Sequence, residues 1–225
     1  MKAVFVNGSP RKDQNTFALL NAAMAGARHA GADVQLLALS DAVFSGCTSC
    51  FACKIKNNQT NGLCAVHDAL RPILETTLQA DVIVIGSPIY FGDITGQTKS
   101  FLERLLFPIH TYLADPETGE RVKKLDRSIP NALILSMNVT ASAMEALHYP
   151  AVFQMHGDFL AKILGDHEVL CVHNTCQFSD YDRYEVNIFS ETEKRQYRDA
   201  HFPIDLQNAY ALGERLVERA KKTQP

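Results

Sequence analysis

The chain has 225 residues, 22 Lys and Arg against 25 Asp and Glu, and a formal net charge of −3. Hydrophobic residues make up 46% and charged residues 21%, ordinary usage for one large domain that buries a core without disulfide staples. The balance excludes the basic footprint of a nucleic-acid binder and a polybasic membrane patch, and no apolar run reaches the ~18 residues of a membrane span.

The opening apolar stretch is too short for a signal peptide, so a cytoplasmic location is expected. The six cysteines then start as thiols or metal ligands. Residues 3–6 read as a short strand ending at Asn7-Gly8. A polar loop follows, then a helix over 16–30 that Gly31 stops. Residues 33–39 form a second strand and 40–66 a long polar, Cys-rich loop. A helix over 67–79 carries Pro72 early. Residues 81–87 are a continuous apolar run, the mark of a strand covered on both faces.

A helix follows over 96–106, then a charged loop over 115–130 and a fourth strand over 131–137. Helical spacing over 141–164 is interrupted at Pro150, which predicts a kink or two helices. A fifth strand spans 168–173, an aromatic and charged extension 174–203, and a last helix 204–222. Alternating strands and helices imply an α/β fold: a doubly wound, five-stranded parallel sheet with helices on both faces. The expected division is a ligand-binding domain over 1–173. Residues 174–225 form a C-terminal extension packed on the same domain or on a partner subunit. Such sheets bind ligands beyond the carboxyl ends of their strands.

Two loops occupy that place. After strand one come Gly8, Ser9, Arg11, Lys12, Asn15 and Thr16. Gly8 permits a tight turn, and short polar groups beside free amides at a helix start suit a phosphate. The same residues also suit an ordinary helix cap. No Gly-x4-Gly-Lys-Ser/Thr, Gly-x-Gly-x-x-Gly or Cys-x5-Arg pattern occurs. After the third strand comes Ser87-Pro88-Ile89-Tyr90-Phe91-Gly92, adjacent aromatics on a rigid proline. These can hold a planar ring or pack beneath the next helix.

Together, the Gly-Ser-Pro-Arg loop with Asn15-Thr16, and Ser-Pro-Ile-Tyr-Phe-Gly with Gly-Gln-Thr-Lys-Ser-Phe-Leu-Glu-Arg-Leu, resemble the flavodoxin-like NAD(P)H-dependent FMN reductases, iron–sulfur flavoproteins included. The likeness covers 1–110 well and continues weakly through Met137-Asn138 and the stretch from Gln177-Phe178 to Tyr184. It implies a flavodoxin-like sheet and FMN, with the phosphate on Ser9, Arg11, Asn15 and Thr16. The ring would rest on Pro88, Ile89, Tyr90, Phe91 and Gly92, with Asn138 beside it. It implies hydride transfer from NAD(P)H and reduction of a small acceptor, with no catalytic acid or base because the cofactor does the chemistry. It also implies a homodimer or homotetramer.

Cys47-x2-Cys50-x2-Cys53-x10-Cys64 gathers four cysteines in one loop. Four thiolates can hold a 4Fe–4S cluster or a tetrahedral zinc, or stand as free or redox-active thiols. The resembling iron–sulfur flavoproteins carry a compact four-cysteine motif here, whereas the last gap in this chain is longer and polar. A cluster would make a ferredoxin-type protein a partner. Cys171 reads as a core residue and Cys176 as part of an exposed tail. The eight histidines show no metal-binding spacing; His148 and His156 follow the fourth strand, where they face the ring-binding side or, as the simpler reading, form polar helix surface. Phe178, Tyr181, Tyr184 and Phe189 make the extension a candidate interface or a wrap over the same chain.

Overall fold

A computed structural model describes residues 1–122 and 124–223. Lys123, within the expected 115–130 loop, and Gln224 and Pro225, at the end of the expected extension, lie outside the described residues. The elements are β1 (Lys2–Asn7), α1 (Asn15–His29), β2 (Asp33–Ala38), α2 (Arg71–Leu78), β3 (Val82–Tyr90), β4 (Asp93–Ile94), α3 (Gly96–Ile109), β5 (Asn131–Ser136), α4 (Ala141–Ala146), α5 (Tyr149–Leu164), β6 (His167–Val172) and α6 (Glu191–Thr223).

Five strands lie parallel in the order β2-β1-β3-β5-β6. The expected five-strand count gains one: β4 pairs antiparallel with the end of β3, Tyr90 opposite Asp93. This strand is two residues long, too short to leave a periodic signal. The chain runs from β1 outward to β2 and returns to the other side of β1 for β3, so the switch point lies between β1 and β3.

The apolar strands alternate between two cores because successive side chains point to opposite faces. Val4, Val6, Ile83, Ile85, Leu133 and Leu135 enter a core with Leu74, Phe101, Leu105, Phe153 and Leu160 of α2, α3 and α5. Ala3, Phe5, Val82, Val84, Ala132 and Ile134 enter the other core with Leu19, Leu20 and Ala23 of α1 and Leu212 and Leu216 of α6. Helices α1 and α6 approach through paired glycines. A methyl at Gly26 would stand 1.9 Å from the Tyr210 carbonyl oxygen, and one at Gly213 would stand 1.9 Å from that of Ala23.

Pro150 does divide the helical stretch in two, standing in the first turn of α5 where its missing N–H costs nothing. Pro72 occupies the same place in α2, which starts four residues later than its spacing suggests. Helix α6 begins at Glu191, thirteen residues before the expected start, and runs through Pro203. Among the described residues, no helix is long and apolar enough to cross a membrane.

Candidate functional site

The carboxyl ends of β1, β3 and β5 open into a cleft of about 240 Å³. Its lining brings together Ser9, Arg11, Asn15, Thr16, Pro88, Ile89, Tyr90 and Asn138. Phe91 and Gly92 do not line it. They form a two-residue turn between β3 and β4, with φ of 51° and 85°, the left-handed pair that a tight hairpin demands. Phe91 therefore points fully into solvent. Gly92 abuts Tyr149 of α5, whose ring would lie 2.9 Å from an added methyl.

The turn after β1 is locked from below. The Gly8 amide donates to the Gly86 carbonyl at 2.8 Å, and a methyl on Gly8 would stand 1.9 Å from Thr98 Oγ1. Thr95 caps α3 and its hydroxyl donates to the Gly8 carbonyl at 2.9 Å, while its amide donates to Ser87 Oγ at 3.0 Å. One buried network thus joins the first loop, the end of β3 and the start of α3. Ser9 is buried, with its amide donating to Asn7 Oδ1 at 3.0 Å and its Oγ accepting from the Arg11 amide at 3.2 Å. Helix α1 starts with no side-chain cap and no acidic residue in its first turn. Its leading N–H groups and positive dipole end remain for an anionic ligand.

The far wall comes from residues given no site role by sequence patterning, although the family resemblance runs through Met137, Gln177 and Phe178. Ser136, Met137, Thr175, Gln177 and Phe178 complete the lining with Gln14 from the first loop, and Thr16 Oγ1 meets Ser136 Oγ at 2.8 Å. Their signal was position, since they follow β5 and β6 at the same sheet edge. The segment after β6 straps the cleft. Arg11 Nη1 donates to the Gln177 carbonyl at 2.6 Å and Asn15 Nδ2 to that of Cys176 at 2.9 Å. Asn138 Nδ2 donates to Gln177 Oε1 at 3.1 Å. From α6, Arg198 Nη1 donates to Asn15 Oδ1 at 2.6 Å. Lys194, almost fully buried, donates to the Asn138 carbonyl and to Asn174 Oδ1, and burial lowers its pKa below the usual lysine range.

His156 is not the surface residue expected. It is buried, and its Nε2 meets Asp93 Oδ1 at 2.7 Å. His148 is exposed at the start of α5 with φ 58°.

The four loop cysteines line one small cavity of about 20 Å³ with Glu103 and Arg104. Cys47 and Cys50 are exposed, Cys53 is buried and Cys64 lies between. Burial pushes the Cys53 thiol up, with Lys54 opposing and Cys64 and Cys47 adding to the rise. Among the described residues, no three His, Cys, Asp or Glu side chains already stand in a metal-ligating group. Cys171 is half-buried, and desolvation raises its pKa to about 11. Cys176 is half-buried too, not exposed, and its Sγ lies 3.7 Å from the Lys194 carbonyl oxygen.

The sequence model of the NADPH-dependent FMN reductase family matches residues 1–119. An iron-sulfur flavoprotein of Methanocaldococcus jannaschii is 33% identical over 104 residues, 46% of this chain and 51% of that protein. One of Archaeoglobus fulgidus is 36% identical over 104 residues, 46% of this chain and 48% of that protein. The chain thus spans about half the length of the curated relatives it matches. The NAD(P)H:quinone oxidoreductase from Methanothermobacter marburgensis superposes with a TM-score of 0.67 at 15% identity, covering 96% of each chain. An azoreductase from Bacillus anthracis gives 0.66 at 14%, covering 95% of this chain and 99% of that one. At such identities these superpositions establish the parallel, flavodoxin-like fold. With its match running from the first strand past α3, over more than half of the sequence, the chain belongs to the NADPH-dependent FMN reductase family.

Proposed function

We propose that the protein is an FMN-dependent oxidoreductase that takes hydride from NAD(P)H and reduces a small acceptor: a quinone, free flavin, metal ion or electrophile. The observation that carries this reading is the single cleft at the switch point, polar at the uncapped start of α1 and apolar along Pro88, Ile89 and Tyr90. Asn138 Oδ1 in this cleft is buried with no partner among the described residues, an acceptor left for a ligand N–H. The residues therefore fit FMN.

FMN, when bound, supplies hydride chemistry at its ring system. Ser9, Asn15, Thr16 and the α1 amides would take its phosphate, with the exposed Arg11 braced on Gln177 beside them. Pro88, Ile89 and Tyr90 would support the ring, Phe91 and Gly92 would shape the hairpin at its rim, and Asn138 would bond its polar edge. Residues 1–173 would form the flavin-binding unit, and residues 174–225 the extension that straps it. A cytoplasmic homodimer or homotetramer belongs to the same reading.

The test is the visible spectrum of protein purified without oxygen, with iron and zinc assays and stopped-flow addition of NADH or NADPH. Two resolved flavin bands that bleach rapidly support the reading. A colourless protein that takes up no FMN refutes it. One observation favours a second reading, an iron–sulfur flavoprotein passing electrons between FMN, a 4Fe–4S cluster and a ferredoxin-type partner: Cys47, Cys50, Cys53 and Cys64 share one cavity. Four soft thiolate donors on one loop fit such a centre or a zinc ion. A broad brown shoulder with stoichiometric iron would support it.

A further inference from the structure

Arg104 is the largest fully buried side chain among the described residues. A buried cation is costly unless its charge and all its donors are met. Asp68 meets it in a bidentate pair, Nη1 to Oδ2 at 2.5 Å and Nη2 to Oδ1 at 2.9 Å. The two remaining Nη hydrogens go to the chain on either side of the cysteines. Nη1 donates to the Ser45 carbonyl and Nη2 to that of Val66, both at 3.2 Å. Ser45 stands two residues before Cys47 and Val66 two after Cys64, so one guanidinium ties the ends of the cysteine loop together.

A guanidinium has five N–H donors, and this accounts for four. The fifth, Nε–H, is buried with no hydrogen-bond partner among the described residues. Arg104 lines the cavity that the four cysteines share, and the nearby Cys64 sulfur helps Asp68 hold the guanidinium proton against burial. A neutral thiol is a weak acceptor, whereas a metal-bound thiolate is a strong one. Four thiolates around a doubly positive centre, one zinc ion or an oxidised four-iron core, leave a net dianion. Glu103 also lines this cavity, its Oε2 accepting from the Cys47 amide at 3.2 Å. It adds negative charge, so the site needs a cation. Lys54 is committed to the Phe107 and His110 carbonyls at the end of α3.

We propose that Arg104 is the counter-charge and positioning residue of a four-thiolate metal centre on Cys47, Cys50, Cys53 and Cys64, its Nε–H donating to the Cys64 sulfur. This rests on the second reading above. Arg104 brings the loop ends together and lowers the cost of the charge that metal binding creates there.

The probe is cobalt(II), titrated without oxygen into the reduced full-length protein, with FMN content measured on every sample. Thiolate-to-cobalt charge-transfer absorption is expected in the wild type. Arg104→Met should weaken cobalt binding 10–100-fold, the usual range for loss of an outer-shell partner, at unchanged FMN content. Arg104→Lys, which keeps the charge without the fork, should fall between. Asp68→Asn should bind cobalt at least as tightly as wild type, because it frees positive charge. A purely structural clamp would instead weaken with either partner. In iron-loaded protein Arg104→Met should lower the midpoint potential, since a cation stabilises the more negative reduced centre.

No thiolate–cobalt absorption in the wild type would sink the four-thiolate reading itself. Absorption with equal affinity in Arg104→Met at full FMN content would overturn the role of Arg104 alone. If Arg104→Met fails to fold, Asp68→Asn decides: binding weakened tenfold or more overturns the proposal.

Discussion

His156 of α5 and Asp93 of β4 meet at 2.7 Å, and this pair fixes the hairpin at the rim of the cleft. Asp93 lies directly opposite Tyr90 across the Phe91-Gly92 turn, so holding Asp93 holds the aromatic wall. His156→Leu should weaken FMN binding about tenfold, the scale of a lost hydrogen bond to a charged group. His156→Gln, which keeps a donor, should recover most of it. Quenching of flavin fluorescence on titration reads both. An unchanged dissociation constant in His156→Leu would show that the hairpin holds itself.

Ser9 is buried at the start of the loop after β1, its Oγ accepting from the Arg11 amide. Ser9→Asp should weaken FMN at least ~100-fold, because a carboxylate facing a phosphate costs several kcal/mol. Equilibrium dialysis against FMN checks this, and retained stoichiometric FMN would remove the phosphate assignment. Phosphate-free riboflavin should lose little, which separates charge repulsion from a collapsed loop.

Gly8→Ala should lower stability by about 1–3 kcal/mol, since the new methyl meets Thr98 Oγ1 at 1.9 Å and the backbone must move. For a chain of this size that is roughly 3–10 °C in Tm. Differential scanning calorimetry reads it. The double variant Gly8→Ala with Thr98→Ser should not recover, because the clashing oxygen remains. Thr98→Ala in its place should relieve part of the loss.

His167 gives a pH dependence. Asn131 spends its amide on the carbonyls of Ile129, Gly165 and Asp166. Its Oδ1 is therefore an acceptor, and His167 Nδ1–H donates to it at 2.6 Å. The other ring nitrogen is buried with no partner among the described residues. Burial pushes the His167 pKa down to about 4, with Asp166, Glu168 and Asp158 opposing. A histidine depressed in the folded state favours folding above its unfolded pKa, near 6.5, and loses that stability as pH falls toward 4. The loss should be about 2 kcal/mol, allowing for partial exposure. Urea unfolding midpoints between pH 7.5 and 4 measure it, and His167→Gln should flatten that part of the profile.

The strands at the sheet centre were legible because both faces of β3 and β5 are buried, which leaves no polar interruption to blur their limits. That the loop after β1 and residues 88–90 line one cleft was legible from local chemistry at the ends of β1 and β3. The start of α6 was not. Its first turns bury little beyond Lys194 and Phe202, so they carry no apolar stripe, and Pro203 reads as a stop. Phe91, expected to line the cleft, stands outside it, because its outward direction comes from a left-handed turn that composition does not encode. His156 and Gln177 act across long sequence separations, which periodicity cannot see.

The paired glycines between α1 and α6 carry a consequence for any attempt to shorten the protein. Gly213 sits 19 residues beyond Lys194 on one continuous helix, about 28 Å at the rise of an α-helix. The same partner helix begins at Asn15 in the cleft. Removing the last turns of the chain would therefore free a rod whose far end closes the ligand site. Terminal trimming, ordinarily the mildest of edits, would here unlatch the pocket from a distance.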